Sequence, residues 1–217
     1  KEVIDVTLLV PMGADPHDWE PTIRDTERLQ KADMIIVNGI GYEHWLNSLE
    51  LSDIAGILVD TSNGISTLDS ANHDEEKHDD HAKEDGHDDH AKEDGHDDED
   101  NHNHGVLDPH IWLNPVFAQL QVKNIANALS NSDPTNKNYY QSNAAIYNQK
   151  LNLLDTKIRT ELSGCKTDFI TFHDAFSYFS EEYGLTQHTI ISSTDSHGDV
   201  TPKTLEHIIS LARELNI

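Results

Sequence analysis

Five short apolar runs punctuate the sequence: "VIDVTLLV" (3–10), "MIIVNG" (34–39), "GILVD" (56–60), "DFITF" (168–172) and "HTIIS" (188–192). Each is too short for a typical helix and is flanked by polar or turn residues, so each predicts a strand buried on both faces. Helical patterns separate several of them. Strand, helix, strand in repetition predicts an α/β fold of parallel sheets flanked by helices.

Residues 115–163 break that rhythm. Pro115 sits at an expected first helical position of "PVFAQLQVKNIANALS", with Val116, Leu120 and Leu129 available to face a sheet. Asp133 and Pro134 then supply a cap and a first-turn proline for a longer helix. Its apolar stripe is expected to run Tyr140, Ala144, Tyr147, Leu151, Leu154, Ile158, Leu162, and its end falls near Ser163 and Gly164. Roughly 28 residues at about 1.5 Å each make a rod on the order of 40 Å, too long for one crossover in a small sheet. The expected organisation is an N-terminal α/β lobe (1–132), a long rigid linker helix (133–164) and a C-terminal α/β lobe (165–217).

One stretch cannot pack at all. From His73 to His104 there are 15 acidic residues, three lysines and eight histidines, with nothing apolar larger than alanine. Within it the unit "HDDHAKEDG" is written twice and begun a third time. Such a segment buries too little surface to offset its ordering entropy, so it is expected to be a disordered loop inside the first lobe. The formal net charge is −25, and the remainder of the chain stays acidic when this loop is set aside. An acidic field repels nucleic acid and anionic membrane surfaces and attracts metal cations. A single cysteine, Cys165, excludes an internal disulfide and a multi-cysteine zinc knuckle. No run approaches the 18 or so apolar residues of a membrane span. The chain opens directly into "VIDVTLLV" and stops in the helical pattern "LARELNI", so both ends are expected to be cut. A missing leader is then silent about compartment.

Three histidines outside the loop carry the chemistry: His17 in "GADPHDWEP", His110 in "LDPHIWLNP" and His173 in "TFHDAFSYF". His17 and His173 fall at the carboxyl ends of expected strands, the edge that forms the ligand crevice of open α/β sheets. His110 occupies a loop bounded by prolines just ahead of a helix. A lone histidine at a strand end is more often a satisfied polar residue than a ligand. Three of them in constrained loops favour a site, and three neutral imidazoles suit tetrahedral zinc. Asp15, Asp18, Asp108 and Asp174 are candidates to orient the far ring nitrogens.

The strings "GADPHDWEP", "DPHIWLNP" and "TFHDAFSYFSEEYGL", in this order, resemble the metal-binding segments of the solute-binding proteins of zinc and manganese ABC importers. The resemblance covers nearly the whole chain apart from the histidine-rich insert. It implies two α/β lobes joined by a long helix, with a metal site in the cleft between them at His17, His110 and His173. It further implies capture of Zn2+ at the periplasmic or extracellular face of the cytoplasmic membrane and delivery to a membrane permease, by a chain expected to be monomeric. The third position is commonly glutamate in manganese-type members, so His173 favours Zn2+ over Mn2+. The family's fourth protein ligand is a carboxylate far along the second lobe, beyond where this chain stops. Asp195 and Asp199 match a segment not known for coordination. Many zinc-type members carry an acidic histidine-rich insert, which assigns His73, His78, His81, His87, His90, His96, His102 and His104 to weak accessory metal sites, a shuttle or reservoir.

Other residues have plainer expectations. Trp19, Trp45 and Trp112 are read as packing, His44 and His207 as surface residues, Glu43 as structural and Cys165 as small and buried; His188 and His197 match no ligand position. Three function classes compete: a metal-binding protein of an importer, a zinc hydrolase, and a metal-buffering or adhesion protein in which the loop is the active part. The absence of HExxH and GxSxG patterns and of a placed general base argues against the hydrolase, so no enzymatic activity is expected.

Overall fold

The computed structural model describes residues 3–49, 54–68, 107–191 and 200–217. The eight histidines of the insert, together with Asp195, His197 and Asp199, lie outside the described residues. Four of the five apolar runs are strands. β1 (Met34–Val37) pairs in parallel with β2 (Ile57–Asp60), in the register Met34↔Ile57 to Val37↔Asp60. β3 (Asp168–His173) pairs in parallel with β4 (Thr186–Ile191), starting from Asp168↔Thr186. Parallel pairs require crossovers, and helices supply one of them here. Gly56 leads into β2 where only a glycine fits: a Cβ there would stand 2.2 Å from the carbonyl oxygen of Ala32.

The fifth run is a correction. Residues 3–10 form no strand and join no sheet among the described residues, and Val6 and Leu8 are 78% and 73% exposed. A strand is stabilised by its ladder and by the surface that covers it, and this run has neither beside it in the described structure. Only its end is recruited, as Leu9 packs onto a small core of Leu29, Ile35, Val37 and Trp45 that Trp19 also borders. Burial of each such side chain stabilises by about 1.5–3 kcal/mol. α1 (Ile23–Lys31) presents Leu29 to that core and starts from a capping box between Thr22 and Asp25.

α2 (Pro115–Ser132) begins at Pro115, with the Asn114 side chain accepting the Val116 N–H at 2.8 Å. Val116, expected to face a sheet, is exposed, while the small residues Ala126 and Ser130 are buried where the next helix approaches. That helix, α3 (Lys137–Leu162), spans 26 residues, roughly 39 Å at the α-helical rise, after a 3-10 turn at Pro134–Asn136 capped by Asp133. Its expected stripe holds at Tyr140, Ala144, Leu151, Ile158 and Leu162. Tyr147 and Leu154 depart from it, at 53% and 44% exposed. Polar residues take the inward positions because they have partners there. Asn148 donates to the Gln119 carbonyl at 3.2 Å, and Asp155 accepts from the Tyr183 hydroxyl at 3.0 Å. Gln141 likewise donates to the Ser130 hydroxyl at 3.0 Å.

α4 (Ser177–Tyr183) lies between β3 and β4 and is bound to α3 by an Arg159–Glu182 ion pair and by Arg159 over the Tyr183 ring at 5.0 Å. α5 (Pro202–Leu215) follows β4, capped by the Thr201 hydroxyl, which accepts the Thr204 N–H at 3.1 Å. Cys165 is exposed rather than buried. It occupies the turn after Gly164 (φ 82°), three residues before β3 begins, so no sheet or helix covers it. No helix among the described residues is long and apolar enough to cross a membrane.

Candidate metal centre

Two of the three histidines are presented by the same local device. In Asp15-Pro16-His17 the Asp15 carboxylate accepts the His17 N–H at 3.0 Å; in Asp108-Pro109-His110 the Asp108 carboxylate accepts the His110 N–H at 2.9 Å. Aspartate bonding the backbone two residues on closes a tight turn, and the intervening proline fixes φ, so each histidine leaves its loop in a defined direction. His17 therefore sits in a turn rather than at the end of a strand, after Gly13 (φ 86°) and a bond from Ala14 N–H to the Pro11 carbonyl at 3.1 Å. His173 is the last residue of β3, at the carboxyl edge where the sequence placed it.

These loops bring one ring nitrogen from each of His17, His110 and His173 within 4.8 Å of the others. Among the described residues this is the one such group of three or more. The Nε2 atoms of His110 and His173 are 3.1 Å apart. Zinc–nitrogen bonds of about 2.0–2.1 Å at tetrahedral angles put neighbouring donors about 3.3 Å apart, so the spacing suits one shared cation. His110 is 2% exposed, and its Nδ1 lies 2.7 Å from the Asp108 carboxylate. An ionised carboxylate only accepts, so Nδ1 carries the proton and Nε2 turns its lone pair toward His173. Burial alone would push the Asp108 carboxyl up, but the hydrogen bonds it accepts from the His110 ring and the His110 N–H are foremost among the contacts that outweigh it and hold it below the ordinary range. Burial, then the neighbouring His110 and His17, pushes the His173 imidazole below its ordinary value, which keeps it neutral and able to donate its lone pair.

Aromatic rings wall the group on one side. Tyr42 stands edge-on to His17 with centroids 5.2 Å apart, and Trp112 lies 5.3 Å from His110 and 4.9 Å from Tyr42. Trp19 and Trp45 pack against each other as expected, whereas Trp112 borders the site. Tyr42 was not legible as a site residue. For Trp112 a signal was available, because both turns read D-P-H-x-W, as Asp15 to Trp19 and Asp108 to Trp112.

The loop after β1 buttresses the second turn. Asn38 donates to the Pro109 carbonyl at 2.9 Å and accepts from Gln121 at 3.0 Å. Glu43 accepts the N–H groups of Asn38 and Gly39 at 2.7 and 3.1 Å, which gives it the structural role expected of it. Within that loop Gly39 (φ 89°) is required twice over, because a Cβ there would also lie 2.0 Å from the Asp60 carboxylate. Ile40 holds φ 58°, a strained value for a β-branched residue beside a functional site. Asp15, Asp18 and Asp174 are each engaged in interactions, and Asp174 is buried next to His173. The remaining described histidines stay apart from the group: His44 pairs with Glu20 at 3.2 Å, His188 with Asp168 at 2.9 Å, and His207 is exposed on α5.

Known proteins share the sequence and the fold of this chain. The profile of the family described as "ZnuA: Zinc-uptake complex component A periplasmic" matches residues 1–217. The chain is 37% identical over 220 residues to the high-affinity zinc uptake system protein ZnuA of Bacillus subtilis, covering 100% of this chain and 63% of that protein. It is 33% identical over 189 residues to the zinc-binding protein AdcA of Streptococcus pyogenes, covering 86% of this chain and 35% of the relative. A crystal structure of ZnuA superposes with a TM-score of 0.75 at 28% identity, over 98% of this chain and 72% of the other. The chain thus spans less than two thirds of the length of the curated relatives it matches. The full-length match of the family profile, the turns that carry His17 and His110 and the parallel α/β fold lead to one conclusion: this chain belongs to the ZnuA family of zinc-uptake components.

Proposed function

We propose that this protein captures Zn2+ outside the cytoplasmic membrane and delivers it to the permease of an ABC importer. The observation that carries the reading is the convergence of His17, His110 and His173, with the far nitrogen of His110 already held by Asp108. An all-imidazole donor set favours zinc over manganese, which prefers carboxylate and water oxygens. The relatives' printed descriptions, zinc uptake and zinc binding, support the same cargo. In this reading the protein acts by binding and release, and the Asp108 carboxylate serves to hold the His110 ring rather than to take up a proton from a substrate.

In this reading β1, β2 and their helices form one lobe (1–132), residues 133–164 the linker helix, and β3, β4, α4 and α5 the second lobe (165–217). The metal sits between His17 and His110 of the first lobe and His173 of the second. The insert from His73 to His104 is an accessory that loads the site. Its eight histidines, spread along an acidic repeat, are proposed as weaker sites that pass metal to the three-histidine site.

The test is a zinc titration against a chelating competitor, on the chain lacking residues 73–104 and on the same chain with the three histidines changed to alanine. One tight equivalent that disappears in the triple variant is expected. Absence of a tight equivalent from the loop-deleted protein refutes the site and moves the function to the insert.

A further inference from the structure

The 3.1 Å gap between His110 and His173 closes a circuit of contacts whose remaining links are protein bonds. From His173 the chain turns into α4, and Gln187 of β4 braces that turn. Its amide donates to the His173 carbonyl at 3.3 Å and to the Thr171 hydroxyl at 2.8 Å, and its oxygen accepts the Phe176 N–H at 3.0 Å. Two residues into α4, Tyr178 is 1% exposed and edge-on to Phe117 of α2 at 5.5 Å. Its hydroxyl donates to the backbone carbonyl of Asp108 at 2.6 Å and accepts the N–H of Leu68 at 3.1 Å. The Asp108 N–H in turn donates to the Leu68 carbonyl at 3.1 Å, and the Asp108 side chain holds the His110 ring.

Resting on the metal-site reading above, we infer that the Tyr178 hydroxyl is a positioning group: it fixes the Asp108–His110 turn against the segment that carries His173, and so sets the spacing of two metal-binding nitrogens. The geometry gives it this role because one oxygen serves both chain segments at the turn, Leu68 and Asp108, from the helix that begins four residues after His173. Phenylalanine keeps the ring packing on Phe117 and deletes both bonds. The Asp108 carboxylate stays bonded to the His110 ring, but the Asp108 carbonyl loses its bond to α4, so the turn and the ring shift together relative to His173. Partners of metal-binding histidines that fix ring orientation are worth about 10–100-fold in metal affinity.

Tyr183, on the same helix, provides a matched comparison, because its hydroxyl bonds Asp155 of α3 at 3.0 Å and has no contact with the Asp108 turn. The experiment is chelator-competition zinc titration, visible absorption of the Co2+-loaded protein and thermal melting, on the parent, Y178F, Y183F and a variant with p-aminophenylalanine at 178. Y178F is expected to bind zinc about tenfold or more weakly and to alter the Co2+ bands, which report the donor geometry. Y183F is expected to melt earlier yet keep parental zinc affinity and Co2+ bands. The amino variant retains a donor toward Asp108 and is expected to bind within about threefold of the parent, a rescue that also decides the matter if Y178F does not fold. Parental affinity and bands in Y178F, an equal loss in Y183F, or failure of a folded amino variant to rescue overturns the inference. Absence of a tight site in the parent overturns the metal-site reading itself, so the two failures are distinguishable.

Discussion

Replacing Asp108 with asparagine isolates the charge that orients His110. The Asp108 carboxylate accepts the His110 N–H at 2.9 Å and lies 2.7 Å from the ring Nδ1, in a position almost closed to water. An amide oxygen can still accept both bonds, so the turn is retained, but the new NH2 group replaces a buried oxygen that has no hydrogen-bond partner, so the apo protein should melt below the parental temperature while staying folded. What is lost is the ionised acceptor, which makes the ring a stronger donor to a cation through its opposite nitrogen. A 10–100-fold loss of zinc affinity corresponds to about 1.4–2.8 kcal/mol, within the range for losing a hydrogen bond to a charged group. The assay is competition of D108N and parent for zinc against the same chelator, at pH values where the chelator's own protonation is matched. Affinity within threefold of the parent, with the fold intact, would refute the claim that this carboxylate tunes the site.

Four further outcomes follow from the same structure. His173 has its imidazole pushed down by burial, so the unfolded chain takes up a proton below about pH 6.5 that the folded chain resists. The apo protein should therefore lose stability as pH falls below that value, and H173Q should flatten this part of the profile in denaturant melts; an unchanged slope contradicts it. Zinc held by the insert should fade as pH drops through roughly 6.5, and retention at pH 5 would instead implicate carboxylates. Gly39→Ala places a Cβ 2.0 Å from the Asp60 carboxylate at φ 89°, and should cost about 2 kcal/mol or more in chemical denaturation. Trp112, 5.3 Å from His110, should change its emission when zinc binds, and W112F should remove that change without abolishing binding.

Local chemistry was legible and distant contact was not. β1, β2 and β3 follow from β-branched runs, and α2 begins at the proline that marks it. The constrained loop of His110 and the strand end of His173 were legible locally, whereas His17 sits in a turn and not at a strand end, and the meeting of the three was implied by the family resemblance rather than by local pattern. Residues 3–10 misled because apolar content signals burial without naming a ladder partner, and no partner lies beside them in the described structure. Tyr147 and Leu154 misled in the opposite sense. Asn148 and Asp155 won the inward positions through partners on α2 and α4, which no periodicity within α3 encodes. Asn38 and Tyr178 reach the Asp108–His110 turn across about 70 residues of sequence, so their roles emerge only when the chain is folded.

The most direct test of the central claim is anomalous diffraction at the zinc edge from crystals of the zinc-loaded protein. The account predicts one strong peak bonded at about 2.0–2.1 Å to Nε2 of His110 and Nε2 of His173, with a ring nitrogen of His17 completing the three. A dominant peak elsewhere, or one bonded to carboxylates while any of the three imidazoles stands apart, would contradict it.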